Sequence, residues 1–336
     1  MSADVAGAAP SVAVAVVSWN TREVLASCLE SLAADASAGL AEVWVLDNGS
    51  RDGSAEMARE RFPWVRLLAR EDNIGFGPAV NEIAARTDAE WLAAANADVA
   101  LAPGALATML ARGRALPRAG AIAPQLITPG GAVQHSVHAF PSPRLALLFN
   151  LGFPRLIPGL GDRLCLEGYW DPSRVRRVDW AHGAFLLLRR TAFDDVGGFD
   201  PAQWMYAEDI DLQWRLSRAG WSTAYEPGAR VPHAVSAATA KAFGGERTGR
   251  HIAASYDWLL RRRGRRSART CAVLNTLGAV LRWVGVARPV KLAKPDDAAA
   301  RRRYAMFARL HARGLRGAAS LRRDIERPRT LRAPTP

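Results

Sequence analysis

Hydrophobic residues in the first hundred positions form short continuous runs, and these runs alternate with segments of helical periodicity. The runs have the length of strands buried on both faces and occupy residues 12–17, 43–46, 65–69 and 91–95. Helices are expected between them, at about 22–32, 54–61 and 78–86, and again from about 103. Such alternation predicts an α/β layer with a mostly parallel central sheet and flanking helices.

Local signals refine this outline. Asn20 and Glu23 have the spacing of a capping box, which places the start of the first helix just after Asn20. Residues 139–178 are rich in Pro and Gly, and this composition predicts irregular chain on the surface. Two further strands and a loop beside the site are expected at 184–188, 222–225 and 236–250.

The most acidic stretch places Glu208, Asp209 and Asp211 at the head of a predicted helix that ends near Gly220. Carboxylates in a first turn interact favourably with the helix dipole, and Asp211 with Arg215 has the spacing of an i,i+4 ion pair. The same cluster could instead supply a general base. The rest of the chain has to decide between a structural and a catalytic interpretation.

Polar residues follow each of the first four predicted strands, at 18–20, 47–50, 73–77 and 96–98. Because the carboxyl ends of parallel strands meet at one edge of a sheet, we expect these residues to lie on one rim that binds a ligand. A dinucleotide-binding fold would place a G-x-G-x-x-G motif after the first strand. Residues 18–22 contain no glycine, which argues against a nicotinamide cofactor.

Composition sets the broad class of the protein. The 336 residues are 49% apolar, which is enough for a sizeable core. The three cysteines are far apart and form no C-x-x-C pair, which favours a reducing compartment over a disulfide framework or a structural zinc site. The N-terminus lacks the features of a signal peptide, so we expect a cytoplasmic protein.

The net charge of +13 is concentrated at one end of the chain. Residues 261–336 contain 21 Lys and Arg against 4 acidic residues, whereas residues 1–260 contain 24 against 28. This asymmetry predicts a globular domain over 1–260 and a basic helical extension over 261–336.

Within the extension, residues 271–287 are apolar apart from a polar stripe that includes Arg282. Seventeen residues fall short of the roughly 20 that span a bilayer. The flanking arginines at 261–266 and 301–303 favour a helix lying on the inner, anionic face of the cell membrane. The alternative is a helix packed on the core or on a second subunit of a homodimer. Nucleic acid is a less favoured partner, because aromatic residues in the extension are few.

Taken together, the chain resembles the family 2 inverting glycosyltransferases of the GT-A fold, most closely their rhamnosyltransferase-like branch. The matching motifs are Val16-Val17-Ser18-Trp19-Asn20, Asp47-Asn48-Gly49-Ser50, Asn73-Ile74-Gly75-Phe76-Gly77 with Asn81, Asn96-Ala97-Asp98, Gly183-Ala184-Phe185-Leu186, Gly197-Gly198-Phe199-Asp200 and Glu208-Asp209. The resemblance implies a Rossmann-like GT-A domain over 1–260, with a nucleotide-binding part (10–130) and an acceptor-side part (131–260).

The resemblance also implies where the nucleotide-sugar donor binds. Ser18 and Asn20 would lie at the nucleotide pocket, and Asp47 would accept a hydrogen bond from the pyrimidine imide N–H. Asn73 and Gly75 would line the same pocket, Gly75 by letting the backbone approach the ligand. The alternative for Asp47 is a purely structural Asx turn.

By the same resemblance, Asp98 is the last residue of a D-x-D motif and would bind Mg²⁺ or Mn²⁺ on the donor diphosphate. Asn96 replaces the first acid of that motif, which weakens the protein shell of the ion. His233 matches a histidine that some members use as a further ligand. The alternative is a structural or exposed histidine.

Asp209 matches the family's catalytic base, with Glu208 orienting the acceptor or replacing Asp209 in that role. An inverting transfer needs a carboxylate that takes the proton of the attacking hydroxyl. The implied activity is a hexosyltransferase that moves L-rhamnose from dTDP-rhamnose, or another sugar from a dTDP- or UDP-linked donor, to a saccharide or polyprenyl-linked acceptor in cell-envelope polysaccharide assembly. The alternatives are a sugar nucleotidyltransferase and a catalytically silent nucleotide-sugar-binding protein.

Overall fold

The computed structural model describes residues 10–203, 206–234, 247–286 and 297–316. The strands are β1 Val12–Ser18, β2 Ala41–Asp47, β3 Arg66–Ala69, β4 Trp91–Asn96, β5 Ala119–Ile127, β6 Val137–His138, β7 Arg176–Val178, β8 Trp180–Ala181, β9 Phe185–Arg189 and β10 Ser222–Pro232. The helices are α1 Arg22–Ser37, α2 Ser54–Arg61, α3 Phe76–Ala84, α4 Ala105–Ala115, α5 Pro143–Asn150, α6 Phe153–Leu156, α7 Leu160–Arg163, α8 Arg190–Asp195, α9 Glu208–Arg218, α10 Arg247–Val286 and α11 Asp297–Ala312.

Eight strands form one central sheet in the order β3-β2-β1-β4-β9-β5-β10-β7. The strands from β3 to β4 are parallel to one another, and β5 is parallel to β10. Strand β9 is antiparallel to both of its neighbours, and β7 is an antiparallel edge strand. Strands β6 and β8 pair separately. The predicted α/β fold with a mostly parallel sheet and flanking helices is therefore confirmed.

Strand β1 shows why its sequence is apolar throughout. Val12, Val14 and Val16 enter the core on one face of the sheet, and Ala13 and Ala15 enter the core on the other. Both faces are covered by helices, as expected for a parallel strand at the centre of such a sheet. The carboxyl end of β1 therefore lies in the middle of the rim that carries the polar residues.

The predicted capping box at the start of α1 is wrong. Thr21 is the N-cap residue and makes no side-chain cap bond, while Asn20 has a left-handed φ of 52°. The Asn20 side chain is used elsewhere, since its Oδ1 accepts from the Arg51 N–H at 2.8 Å. An asparagine tolerates this backbone region better than most residues.

The prediction of irregular chain over 139–178 is also only partly right, because α5, α6, α7 and β7 lie within it. The Ser142 hydroxyl caps α5 by accepting from the Leu145 N–H, and Pro143 occupies the first turn, where it costs no helical bond. Of the loop expected at 236–250, residues 236–246 lie outside the described residues, and α10 begins at Arg247.

The basic extension is helical, as predicted, where it is described. Helix α10 crosses residue 260 and breaks its helical geometry at Gly264, where φ is 83°. Its buried residues, including Trp258 and Cys271, join a third core cluster with Ile210 of α9. In the described part of the chain, no helix is both long and apolar enough to cross a bilayer. The boundary at 260 stays a prediction.

Candidate active site

Asp47 ends β2 with one carboxylate oxygen satisfied and the other unused. Its Oδ2 accepts from the Ser50 N–H at 2.8 Å, which is the Asx turn expected as an alternative. Its Oδ1 is buried and has no hydrogen-bond partner among the described residues. Burial raises the pKa of this carboxyl group. A buried acceptor without a partner is costly, and a ligand N–H would remove that cost.

The loops around Asp47 are held in place by their own polar side chains. Asn48 donates to the Gly75 carbonyl and accepts from the Ile74 N–H, so it joins the end of β2 to the loop that precedes α3. The Asn73 side chain accepts from the Gly75 N–H, and Gly75 has φ 93°. A Cβ at Gly49 would lie 2.8 Å from the Glu71 carbonyl oxygen, which explains the glycine.

Ser18 and Asn20 adjoin this loop pair. The Ser18 carbonyl accepts from the Asn48 N–H, and the Ser18 hydroxyl is 3.0 Å from the Thr21 hydroxyl. The Asn20 N–H donates to the Ser50 hydroxyl. The structure thus brings together the five residues predicted at the nucleotide pocket. It shows Ser18, Asn20 and Asn73 in structural hydrogen bonds, and Asp47 as the one with a buried unused acceptor.

Asp98 and His233 meet although 135 positions separate them in the sequence. His233 Nε2 lies 3.4 Å from Asp98 Oδ1, and both residues are buried. His233 Nδ1 is 2.8 Å from Gln134 Oε1, an oxygen that can only accept, so Nδ1 carries the proton. In the neutral imidazole the Nε2 lone pair then faces the carboxylate, which is the arrangement of two ligands that share a cation.

This pair fits a divalent cation of the Mg²⁺ or Mn²⁺ type. Oxygen and imidazole nitrogen are suitable ligands, and the Gln134 bond fixes the tautomer that leaves Nε2 unprotonated. Among the described residues no cluster of three or more His, Cys, Asp and Glu could hold a metal ion. The remaining positions would be filled by diphosphate oxygens and water, as Mg²⁺ prefers. Asn96 ends β4 just before this pair.

A chain of hydrogen bonds continues inward from Gln134. Gln134 Nε2 is 3.4 Å from His182 Nδ1, and His182 Nε2 is 3.0 Å from His138 Nε2. Burial lowers the pKa of His182 to about 3 and that of His138 well below its usual range. Both imidazoles are therefore neutral near pH 7, so each can donate only one ring proton. The His138 ring also stacks on Trp180.

The residues that follow His182 contact Asp209 and the end of β4. The Gly183 N–H donates to Asp209 Oδ2 at 3.0 Å, and the Ala184 carbonyl accepts from the Asn96 N–H at 2.9 Å. We name Gln134, His182 and His138 the histidine chain. Residues 182–184 therefore supply a member of that chain, a contact with the predicted base and a contact with the end of β4, in that order. A Cβ on Gly183 would lie 3.2 Å from the Asp209 Cβ, so glycine permits this close approach.

Glu208 and Asp209 occupy the first turn of α9. Glu208 Oε2 accepts from the Ala207 N–H, and Asp209 Oδ1 accepts from the Ile210 N–H. Burial and then the charge of Asp209 raise the pKa of Glu208. Burial also raises the pKa of Asp209, against backbone hydrogen bonds that lower it. Two adjacent acids with raised pKa values are suited to a role in proton transfer rather than to a role in a surface ion pair.

Asp211, the third acid of the cluster, has a structural role. It is fully buried, and Arg215 binds it at 2.7 Å as the predicted i,i+4 partner. Arg262 of α10 binds Asp211 at 2.6 Å and Asp200 at 2.7 Å. The structural interpretation thus holds for Asp211, while its neighbours on α9 face the site.

Arginines 261–263, which are expected to flank a membrane helix, have partners within the protein. Arg261 pairs with Asp257, and Arg262 is committed to α9. The Arg263 guanidinium lies 4.5 Å from the Trp214 ring centroid. All three positive charges are therefore used within the protein.

Sequence reasoning missed Gln134, His138 and His182. No motif connects them, since they lie on separate segments that meet only in the folded chain. A weak signal was available, because five of the six histidines, at 135, 138, 182, 233 and 251, lie in the acceptor-side part between positions 131 and 260.

Comparison with known proteins identifies the family. The Glycosyl transferase family 2 model matches residues 13–153, and the Glycosyltransferase like family 2 model matches residues 172–265. Together the two models match more than half of the chain. The chain belongs to glycosyltransferase family 2. Its GT-A fold and rhamnosyltransferase-like features are those predicted, and the residues between Ser18 and Arg22 lack the glycine-rich loop that the nucleotidyltransferase alternative requires.

Individual relatives agree with this assignment. The N-acetylglucosaminyl-diphospho-decaprenol L-rhamnosyltransferase of Mycobacterium tuberculosis is 38% identical over 216 residues, which are 57% of this chain and 66% of that protein. The mannosyltransferase PcManGT of Pyrobaculum calidifontis, solved with GDP-Man and Mn²⁺, has a TM-score of 0.58 at 18% identity and covers 93% of this chain and 86% of its own. GalNAc-T7, solved with UDP, GalNAc and Mn²⁺, has a TM-score of 0.50 at 16% identity and covers 67% and 44%.

Proposed function

We propose that this family 2 glycosyltransferase moves L-rhamnose with inversion from dTDP-rhamnose to a lipid-linked saccharide. One observation carries the mechanism, namely that residues 182–184 join the predicted base to the end of β4. Gly183 binds Asp209, and Ala184 binds Asn96, two positions before Asp98. The base and the proposed diphosphate site are thereby held at a fixed separation, as a direct displacement requires.

On this proposal, Asp47 recognises the base of the donor. Its buried Oδ1 would accept the imide N–H that thymine and uracil share, and the Asx turn with Ser50 holds the carboxylate in place. Asp98 and His233 would hold Mg²⁺ or Mn²⁺, and the bound ion would offset charge on the leaving nucleoside diphosphate.

Asp209 takes the proton of the acceptor hydroxyl as that oxygen attacks the anomeric carbon. Its Oδ2 is oriented by the Gly183 N–H, and the raised pKa favours proton uptake. Glu208, beside it, orients the acceptor. The rhamnose and lipid-carrier parts of the proposal are supported by the activity for which the mycobacterial relative is named.

The test is a transfer assay with purified protein, Mn²⁺ or Mg²⁺, a prenyl-diphospho-N-acetylglucosamine acceptor and a panel of dTDP-rhamnose, UDP-glucose and GDP-mannose. We expect a product only with dTDP-rhamnose, of inverted anomeric configuration by NMR. Transfer from another donor would refute the rhamnose assignment. Binding of dTDP without any transfer would instead favour a catalytically silent binding protein.

A further inference from the structure

The second half of α10 turns its large apolar side chains away from the protein. Val273, Leu277, Val280, Leu281 and Val284 are all exposed, Leu281 by 62% and Leu277 by 54%. A surface helix of a globular protein normally buries such residues. We name these five residues the outward face of α10.

The opposite face of the same helix is the one that packs on the protein, through small and polar residues. Ala268, Cys271, Ala272, Gly278 and Ala279 are buried. At about 100° per residue, the two sets point in roughly opposite directions around the helix axis. The orientation of the second half of α10 therefore cannot be explained by burial of the large apolar residues in that half.

Specific contacts fix this orientation. Asn150 of α5 binds the Asn275 side chain at 2.8 Å and lies against Gly278, where a Cβ would clash with it. Arg282 donates to Asn150 Oδ1 at 2.8 Å, and its guanidinium lies 4.9 Å from the Phe149 ring centroid. The single charge in the apolar segment is therefore held against α5, which leaves the outward face uncharged.

Helix α5, which contacts α10 through Asn150, and the chain that follows it carry further exposed apolar residues. Phe149, Leu151, Leu156 and Ile157 are exposed, and Leu156 is exposed by 72%. A group of exposed apolar residues on neighbouring helices marks an interaction site more often than scattered single residues do.

The charge beside the face identifies the partner. Arg266 and Arg269 lie on the same side of α10, one to two turns before Val273, and both are exposed. Neither forms an ion pair with a described residue. Residues 258–286 contain seven arginines and no Asp or Glu.

We propose that the outward face of α10 docks on an anionic lipid bilayer, with its apolar residues entering the interface and Arg266 and Arg269 binding lipid phosphates. An uncharged apolar face bordered by unpaired arginines is complementary to a negatively charged lipid surface. A second copy of this chain would bring like-charged arginines together. The inference concerns binding alone, so it is independent of the proposed donor and metal.

The first test is flotation of the full-length protein with phosphatidylcholine vesicles that contain about one-quarter phosphatidylglycerol, against pure phosphatidylcholine. We expect binding to the anionic vesicles that weakens as salt rises. Absence of binding, or equal binding to both vesicles, would overturn the proposal. A dimeric mass by light scattering that becomes monomeric in Leu277→Gln/Leu281→Gln would also overturn it, in favour of a second copy.

Two matched pairs of variants separate the contributions. Leu277→Gln/Leu281→Gln should reduce vesicle binding at least about tenfold, since each removes an apolar side chain from the interface. The control Trp64→Gln/Leu116→Gln changes two other exposed apolar residues and should bind as the unmodified protein does. Equal losses in both doubles would refute a specific face.

The second pair of variants tests charge and compares Arg266→Gln/Arg269→Gln with the control Arg59→Gln/Arg177→Gln. The control removes the same amount of charge from other exposed positions. We expect roughly tenfold or greater loss for the first, at about 1 kcal/mol per arginine, and little change for the second. Thermal unfolding should show that all four doubles are folded, and dTDP binding should stay unchanged, because none of the altered side chains belongs to the proposed donor site. Equal losses of vesicle binding in the two charge doubles would show that only net charge matters. That result would refute the assignment of lipid binding to Arg266 and Arg269.

Discussion

The sequence encodes two polar regions of the molecule in different ways. One is the donor edge, formed by Ser18, Asn20, Asp47, Asn73 and Gly75, and the other is the histidine chain. At the donor edge, Asp47 and the residues that hold it lie in short motifs at strand ends. The histidine chain instead joins His138, His182 and Gln134 from three separate segments. The comparison suggests that donor binding depends on local turns, whereas the placement of His233 depends on the assembled acceptor-side half.

The largest effect is expected at Asp209, whose carboxylate accepts from the N–H of Gly183, the residue next to His182. Asp209→Asn should lower kcat by about 10²- to 10⁴-fold, since it removes the proton acceptor, while dTDP affinity stays unchanged. Transfer and calorimetric binding assays measure the two quantities. The control Asp211→Asn, in the same helix turn, should mainly lower the melting temperature, because Asp211 is buried between two arginines. Loss of dTDP binding in Asp209→Asn would show that Asp209 is structural.

The pH profile tests the same residue. Burial raises the pKa of Asp209, so the acid limb of kcat should lie above the value of about 3.9 for an ordinary aspartate. Activity should rise with pH through that limb, because the base must be deprotonated to accept a proton. A profile that stays flat down to pH 4 would contradict the assignment.

Removal of the proposed ion ligands should come next in size. Asp98→Ala or chelation should reduce transfer by roughly 10²- to 10³-fold, since the ion stabilises charge on the leaving diphosphate. The mutant should also lose the Mn²⁺-dependent part of dTDP binding, which calorimetry with and without metal would show. Full activity in chelator would exclude metal dependence.

Asp47→Ala tests the donor edge alone. We expect dTDP affinity to fall about 10- to 100-fold, as for loss of a hydrogen bond to a charged acceptor. The preference for dTDP over CDP should disappear, because cytosine lacks the imide N–H. Asp52→Ala is the control, since both Asp52 oxygens already accept from the protein. A preserved preference for dTDP would show that the role of Asp47 is limited to the Asx turn with Ser50.

The smallest effect is expected at Gln134. Gln134→Leu removes the hydrogen bond that keeps the proton of His233 on Nδ1. Mn²⁺ affinity should therefore fall about 10-fold, while metal-free dTDP binding is unchanged. The control is Gln125→Leu, whose amide bonds to Pro172 and Tyr225 and should affect stability only. Equal metal affinities in the two variants would show that the histidine chain does not position His233.

The parts of the fold and of the site that could be predicted from the sequence are those that local sequence motifs encode. The strands and the rim carrying Asp47 and Asp98 could be predicted, because continuous apolar runs and turn residues encode them locally. Gln134 and His182 could not, since only the pairing of β6 with β8 brings their segments together. The exposure of Leu277 was equally hidden, because the helical pattern shows which residues share a face but not which face packs on the protein.

The ion pairs of Arg262 have a consequence for the order of synthesis. Asp211 and Asp200 are made long before Arg262, and domains fold from the N-terminus as the chain emerges. Until Arg262 leaves the ribosome, the buried Asp211 has only Arg215 as a described ion-pair partner. The helix that carries Asp209 therefore acquires its full set of ion pairs only after the first 16 residues of α10 have been translated.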